Sequence, residues 1–120
     1  AAHGSGTRLG DASEAHALRA VFGGADGAPM VSSVKPATGH LGAGAGALNL
    51  AVAALAVHHQ RVPPTLNLSS PDPACGVADS AAGSGIDWVT GQARAAPVRQ
   101  ALAVARGLEG QNVALAVRAV

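Results

Sequence analysis

Residues 34–59 read VKPATGHLGAGAGALNLAVAALAVHH, and how this stretch folds decides the architecture. It carries Lys35, the only lysine of the chain, and His40 soon after. From Leu41 to Val57 the one clearly polar side chain is Asn49. The run reads as a helix over Leu41 to His59. Gly42, Gly44 and Gly46 each cost about 1 kcal/mol against alanine, so they are expected to serve close backbone contact. A helix apolar on all sides has to be covered on all sides. Its length and early glycines make it a marginal membrane span. A soluble chain of 120 residues has few elements with which to wrap it. The expectation is a buried central helix that needs a second half-domain or a partner chain.

The flanking segments read as follows. "AAHGSGTRLGD" is a glycine-punctuated loop, and Asp11 with Glu14 three residues on forms a capping-box pattern. A helix is predicted from about Ala12 to Phe22, with Ala15, Leu18, Ala20 and Phe22 on its apolar face, ended by "GGADGAP". "MVSSV" reads as a strand and Lys35 to Gly39 as a loop. "RVPPTLNLSSPDPACG" is expected to be mostly extended, and residues 75–100 irregular with a short strand near Ile86 to Val89. "ALAVARG" and "NVALAVRAV", separated by "LEGQ", read as a terminal antiparallel pair. Helix, strand, helix, loops, strand, strand suggests an α/β layer arrangement.

Composition narrows the function classes. The chain is 48% hydrophobic and 12% charged, which supports a core rather than a disordered tail. Aromatics make up only 2%, leaving Ala, Gly and Val to pack closely. Net charge is +1, with basic residues spread from Arg8 to Arg118, so neither nucleic acid nor an anionic membrane is indicated. One cysteine, Cys75, excludes an internal disulfide framework and a cysteine-based metal site. A reducing, cytoplasmic compartment is the simple reading. No metal is expected. The opening residues show no signal-peptide pattern. A start at "AAHGSGT" without methionine is expected of a fragment, a processed piece or half of a split protein.

Two histidines sit in glycine-flanked loops: His3 in "HGSGT" and His40 in "TGHLG", with Lys35 near the second. Imidazole N–H groups and an ammonium can stabilise negative charge developing on a carbonyl oxygen. Ser5 and Thr7 offer hydroxyls to an extended polar ligand. On spacing alone a structural role for the histidines is the simpler reading. His16 is expected to face solvent. His58 and His59 suit the C-terminal end of the long helix. Trp88 is expected to anchor packing. "GAGAG" lacks the features of a phosphate-binding loop.

Two longer blocks resemble a known family: "AAHGSGTRLGDASEAHALRAVFG" and "VSSVKPATGHLGAGAGALNLAVAALAVHHQRVPPTLNLSSPDPAC". They are similar to the C-terminal half of β-ketoacyl-acyl-carrier-protein synthases, the condensing enzymes of fatty-acid and polyketide synthesis. The HGTGT-type loop, the Lys-x-x-x-Gly-His segment, the VPPT-x-N stretch and a final glycine-rich loop ending in Asn112 occur in the family's order across nearly the whole chain. The resemblance implies an α/β fold: the C-terminal half of a thiolase-like layered fold, a mixed sheet with a buried central helix, all of 1–120 forming one half-domain. It implies that His3 and His40 hold a malonyl thioester, assist its decarboxylation and stabilise the enolate, with Lys35 in an electrostatic supporting role. Asp11 and Glu14 would organise that lysine and the loop. Ser5 and Thr7 would line the path of the phosphopantetheine arm, which arrives on the carrier protein, so no other cofactor is expected.

The chain also departs from the family. The family's nucleophilic cysteine lies in the other half, and Cys75 matches a non-catalytic position. Asn49 stands where many members have a glutamate, which would remove one acidic partner of Lys35. In the final loop Arg106 and Leu108 replace two aromatics and Glu109 a glycine, an altered gate. The strand that normally leads into the HGTGT-type loop is almost wholly missing. The implied partners are a ketosynthase half or subunit carrying the cysteine and an acyl carrier protein, in a hetero-oligomer. The implied function is the His/His/Lys side of a decarboxylative condensation. The alternative is a non-catalytic, chain-length-factor-like partner, and a third reading is a fragment of a full-length synthase.

Overall fold

The computed structural model describes residues 1–23, 28–76 and 85–120. Helix α1 spans Arg8–Phe22, strand β1 Met30–Val31, the single helical turn α2 Lys35–Thr38, and helix α3 Ala45–His59. Strands β2 (Arg61–Val62), β3 (Asp87–Trp88), β4 (Arg94–Ala95), β5 (Gln100–Arg106) and β6 (Asn112–Arg118) follow. Short 3-10 turns cover Gly42–Gly44 and Pro73–Cys75. The α/β mixture and the terminal antiparallel hairpin agree with the sequence reading. The "GGADGAP" stop and the irregular segment after Cys75 fall partly on residues 24–27 and 77–84, outside the described residues.

Strand pairing is mixed and falls into three two-stranded pieces: β1 pairs with β3 in parallel, while β2–β4 and β5–β6 are antiparallel. Ala1 and Ala2 join two of these pieces. Ala1 donates to the Leu102 carbonyl at 2.6 Å and accepts from the Val104 N–H at 2.9 Å, straddling Ala103 of β5. Ala2 donates to the Ser32 carbonyl at 2.9 Å, just past β1. Two residues thus link the terminal hairpin to the parallel pair and place His3 at the end of that join.

Helix α1 starts earlier than its sequence pattern suggests. Thr7, in extended conformation, is the N-cap, its hydroxyl accepting from the Gly10 N–H at 3.2 Å. Asp11 is therefore not the cap but lies in the first turn, and Glu14 does not close a capping box with it. Thr7 wins because the hydroxyl is already positioned one turn upstream, while Asp11 and Glu14 are drawn to the N–H groups of the preceding loop. Ala15 is fully buried and Leu18 half-buried as expected, whereas Ala20 is exposed.

The decisive stretch differs from its expected form in two ways. Lys35–Thr38 is a helical turn rather than a loop, because Pro36 fits the first turn of a helix. It ends at Gly39, whose φ of 77° no longer fits a helix. Gly42, at φ 55°, delays the long helix until Ala45. Gly46 does serve close packing, since a Cβ there would lie 3.3 Å from the Ala105 Cβ of β5. As expected of a helix that needs a second half-domain or a partner chain, α3 is not covered on all sides within this chain. Ala45, Asn49, Ala53, Ala56 and Val57 are buried at helical spacing, while Ala47, Ala51, Ala54 and Leu55 are exposed. Two small clusters hold the rest: Ala2, Ala15, Val31 and Ile86 in one, Val57, Val62, Val89 and Val98 in the other. Among the described residues no helix is long and apolar enough to cross a membrane.

Candidate active site

His3 is held by three elements at once. Glu14, buried on α1, accepts from the His3 N–H at 2.7 Å with one carboxylate oxygen and from the Gly4 N–H at 2.8 Å with the other. Lys35, buried at the start of α2, donates its ammonium to the His3 carbonyl. The Arg106 N–H at the end of β5 donates to His3 Nδ1 at 3.2 Å. Gly4 has φ 47°, and a Cβ there would meet the Ser33 Cβ at 2.6 Å, so both backbone conformation and space require glycine.

His40 is held differently. It is exposed, and its Nδ1 accepts from the Gly42 N–H at 3.0 Å, a turn closed within its own loop. Gly42 adopts the positive φ this turn requires. The two imidazoles meet edge to face, with ring centroids 5.5 Å apart and planes at 78°.

Both Nδ1 atoms accept a backbone hydrogen. In the neutral rings the remaining hydrogen must then reside on Nε2, which makes each imidazole a hydrogen-bond donor on its outer side. Burial pushes the His3 pKa down, and the Lys35 ammonium adds to that, against the opposing pull of Glu14 and with smaller contributions from His40 and Arg106. Its neutral, donating form is thereby favoured. Burial also lowers the Lys35 pKa, opposed first by Glu14 and then by Asp11. Paired N–H donors beside a cation suit an oxygen that gains negative charge.

The hydroxyls matched to the phosphopantetheine path are engaged locally. Ser5 Oγ lies 3.0 Å from Thr7 Oγ1 and 3.4 Å from Asp11 Oδ1, and Asp11 also accepts from the Gly6 N–H at 3.2 Å. With Ser5 donating to Asp11 and Thr7 to Ser5, neither hydroxyl proton is free, and these side chains offer a ligand lone pairs rather than protons.

Asn49 has a role its sequence position did not suggest. It is 2% exposed, and its amide donates to the Ala2 carbonyl at 2.9 Å and the Val104 carbonyl at 2.8 Å. It is a double donor that joins α3 to the strand-like start of the His3 loop and to β5. A carboxylate there would face two carbonyl oxygens with acceptors only. Asn49 is thus a framework residue, and Glu14 supplies the carboxylate nearest in effect to Lys35.

The terminal hairpin carries the residues expected at a gate. Leu108, Glu109 and Gly110 form its tip, with Gly110 at φ 88° closing the turn. Leu108 and Glu109 are exposed, and Glu109 accepts from the Gln111 side chain at 3.4 Å. Arg106 sits at the hairpin base and points to α1, donating to the Gly10 carbonyl at 3.2 Å and Ser13 Oγ at 3.4 Å. Asn112 pairs with Arg106 across the ladder, accepting from its Nε at 3.2 Å and donating to the Gly110 carbonyl at 2.9 Å.

Cys75 lines a separate cavity of about 210 Å³ behind the His3 loop, with Gly4, Glu14, Ser33, Thr65 and Trp88, and neither imidazole reaches into it. Burial raises the thiol pKa, and Asp11 and Asp72 raise it further against Arg19, the reverse of what an activated nucleophile needs. Trp88 packs against the first core cluster and donates to the Gly76 carbonyl at 3.3 Å, an anchor as expected. His16, His58 and His59 are exposed. Among the described residues no cluster of three or more potential metal ligands occurs.

Residues 1–69 match the model of the β-ketoacyl synthase C-terminal domain, and the chain belongs to that family. It is 38% identical over 117 residues to 3-oxoacyl-[acyl-carrier-protein] synthase 2 of Synechocystis, covering 98% of this chain and 26% of that protein. It is 44% identical over 108 residues to the tetracenomycin polyketide synthase ketoacyl synthase beta subunit of Streptomyces glaucescens, covering 90% and 24%. The solved ishigamide ketosynthase/chain length factor superposes with a TM-score of 0.84 at 31% identity, covering 98% of this chain and 27% of that one. The chain thus spans about a quarter of the length of these relatives.

Proposed function

We propose that this chain supplies the malonyl-binding and decarboxylating side of a β-ketoacyl synthase, in polyketide or fatty-acid synthesis, together with a half or subunit that carries the nucleophilic cysteine. The observation that carries the reading is the facing pair His3 and His40, each with Nδ1 satisfied by a backbone N–H and Nε2 left to donate. The malonyl group would arrive on an acyl carrier protein through its phosphopantetheine arm. As carbon dioxide leaves, the bond's electron pair forms the enolate, whose oxygen gains charge that the two Nε2–H donors stabilise. The enolate carbon then attacks an acyl thioester on the partner's cysteine, and that thiolate departs. Lys35 holds the His3 peptide and contributes positive charge. Glu14 fixes the same peptide from its N–H side.

Support for a partner comes from the uncovered face of α3 and an adjoining apolar groove of about 690 Å³, whose lining includes Ala2, Met30, Val52, Ala56 and Leu102. Such apolar surface calls for a covering layer.

The test is decarboxylation of malonyl-carrier protein by the assembled protein with His3→Ala or His40→Ala. Loss of one such donor is expected to cost about 10²- to 10³-fold in rate. Unchanged rates in both variants contradict the reading. A second reading, a non-catalytic chain-length-factor-like subunit, is favoured by Arg106 standing where the gate is aromatic. The similarity to a beta subunit and to a ketosynthase/chain length factor structure also supports it. Loss of partner stability in the histidine variants without loss of chemistry identifies that case.

A further inference from the structure

We propose that Arg106 is the positioning residue for His3: its guanidinium latches the β5–β6 hairpin to α1 and thereby holds its own backbone N–H against His3 Nδ1. This rests on the role proposed above for His3 and adds the device that orients it.

The latch is a closed circuit of contacts. Arg106 is the last residue of β5, and its N–H donates to the His3 ring at 3.2 Å. The same side chain makes three bonds that leave the strand: Nε to Asn112 Oδ1, Nη1 to the Gly10 carbonyl and Nη2 to Ser13 Oγ. Gly10 and Ser13 lie on the first turns of α1, immediately before Glu14. Glu14 holds the His3 and Gly4 N–H groups. One helix therefore grips the peptide of His3 through Glu14 and its ring through Arg106.

The guanidinium is suited to the task. Its planar fork offers several donors at fixed angles, so one side chain can bridge two elements. An aromatic ring at position 106 can make none of these bonds. In a hairpin whose tip, Leu108 and Glu109, is exposed, the Arg106 base is the anchored part. The donor that fixes the His3 tautomer then sits on a latched strand end rather than on a swinging loop. The charged and titratable groups bearing on His3 are Lys35 from α2, Glu14 from α1, His40 from the facing loop and Arg106 itself.

The experiment is the pH–rate profile of malonyl-carrier decarboxylation by the assembled protein, comparing wild type with Arg106→Phe, Arg106→Lys and Asn112→Ala. With the latch removed in Arg106→Phe, His3 Nδ1 loses its backbone partner and accepts a proton more readily. The acid limb is expected to move to higher pH, and the plateau rate to fall by about 10- to 100-fold through misorientation, with KM little changed. Arg106→Lys keeps one donor toward Gly10 and restores part of both effects. Asn112→Ala, which removes only one of the three bonds, gives a smaller shift of the same sign. If Arg106→Phe fails to assemble, the Lys and Asn112→Ala profiles decide alone. A uniform drop with an unmoved acid limb in the variants that assemble overturns the proposal. Should His3→Ala leave decarboxylation intact, the catalytic reading itself fails. In that case crystal structures of wild type and Arg106→Lys test the latch separately, with loss of the Arg106 N–H to Nδ1 contact in the variant supporting it and an unchanged contact refuting it.

Discussion

His3 and His40 face each other across 5.5 Å, yet they are held by opposite means. His3 is buried and pinned by Glu14, Lys35 and Arg106, three residues distant in sequence. His40 is exposed and pinned by the N–H of Gly42, two residues along its own loop. The same atomic arrangement, Nδ1 satisfied and Nε2 free to donate, is reached once by tertiary packing and once by local geometry. One ring of the pair is thus fixed by distant elements of the fold, and the other by its own loop.

The sharpest way to break this comparison is to make the same substitution in both loops. Gly4 and Gly42 both have positive φ, but a Cβ meets Ser33 at Gly4 and open space at Gly42. Gly4→Ala is expected to destabilise by about 2 to 5 kcal/mol, the left-handed penalty plus overpacking. Gly42→Ala costs only the conformational part, about 1 to 2 kcal/mol. Urea unfolding of the assembled variants measures both, and equal losses would refute a packing-held His3 loop beside a locally held His40 loop.

A smaller effect comes from charge. The Lys35 ammonium helps hold the His3 pKa below its ordinary value. A histidine with a lowered folded-state pKa takes up fewer protons folded than unfolded. The stability it contributes is full above the ordinary value of about 6.5 and is lost as pH falls through the folded-state value. Lys35→Met raises the His3 pKa and narrows that window, so stability should depend less steeply on pH just below 6.5. Unfolding free energies at a series of pH values check this, and an unaltered slope counts against the Lys35–His3 coupling. The smallest effect is expected at the hairpin tip: Leu108→Ser should change stability by no more than about 0.5 kcal/mol and leave decarboxylation unchanged. A large loss there would show that the tip, and not only its Arg106 base, serves the site.

Much of this arrangement was legible in the residues. The two glycine-flanked histidines, the single lysine and the β5–β6 hairpin all stood out by residue type and spacing. The long apolar run did become the central helix, with Asn49 marking its most buried polar point. What escaped was anything set by a third element. Asp11 and Glu14 fit a capping box in one dimension, but the loop N–H groups that claim them come from chain folding back over α1. By sequence Asn49 reads as a lost carboxylate; in the fold the Ala2 and Val104 carbonyls flank it and call for a donor. Arg106 read as a missing aromatic. The only sign of its latch is a charged residue ending an otherwise uncharged strand, with the Gly10 and Ser13 acceptors almost a whole chain length away.

The most direct test of the central claim, that the two imidazoles act as one donor pair on one oxygen, is a double-mutant cycle. Malonyl-carrier decarboxylation would be measured for wild type, His3→Ala, His40→Ala and the double variant in the assembled protein. The account predicts that either single change removes most of the rate and that the double variant is scarcely slower than the worse single one, since residues acting as a unit are strongly non-additive. Losses that simply multiply, or single variants that retain the wild-type rate, would contradict it.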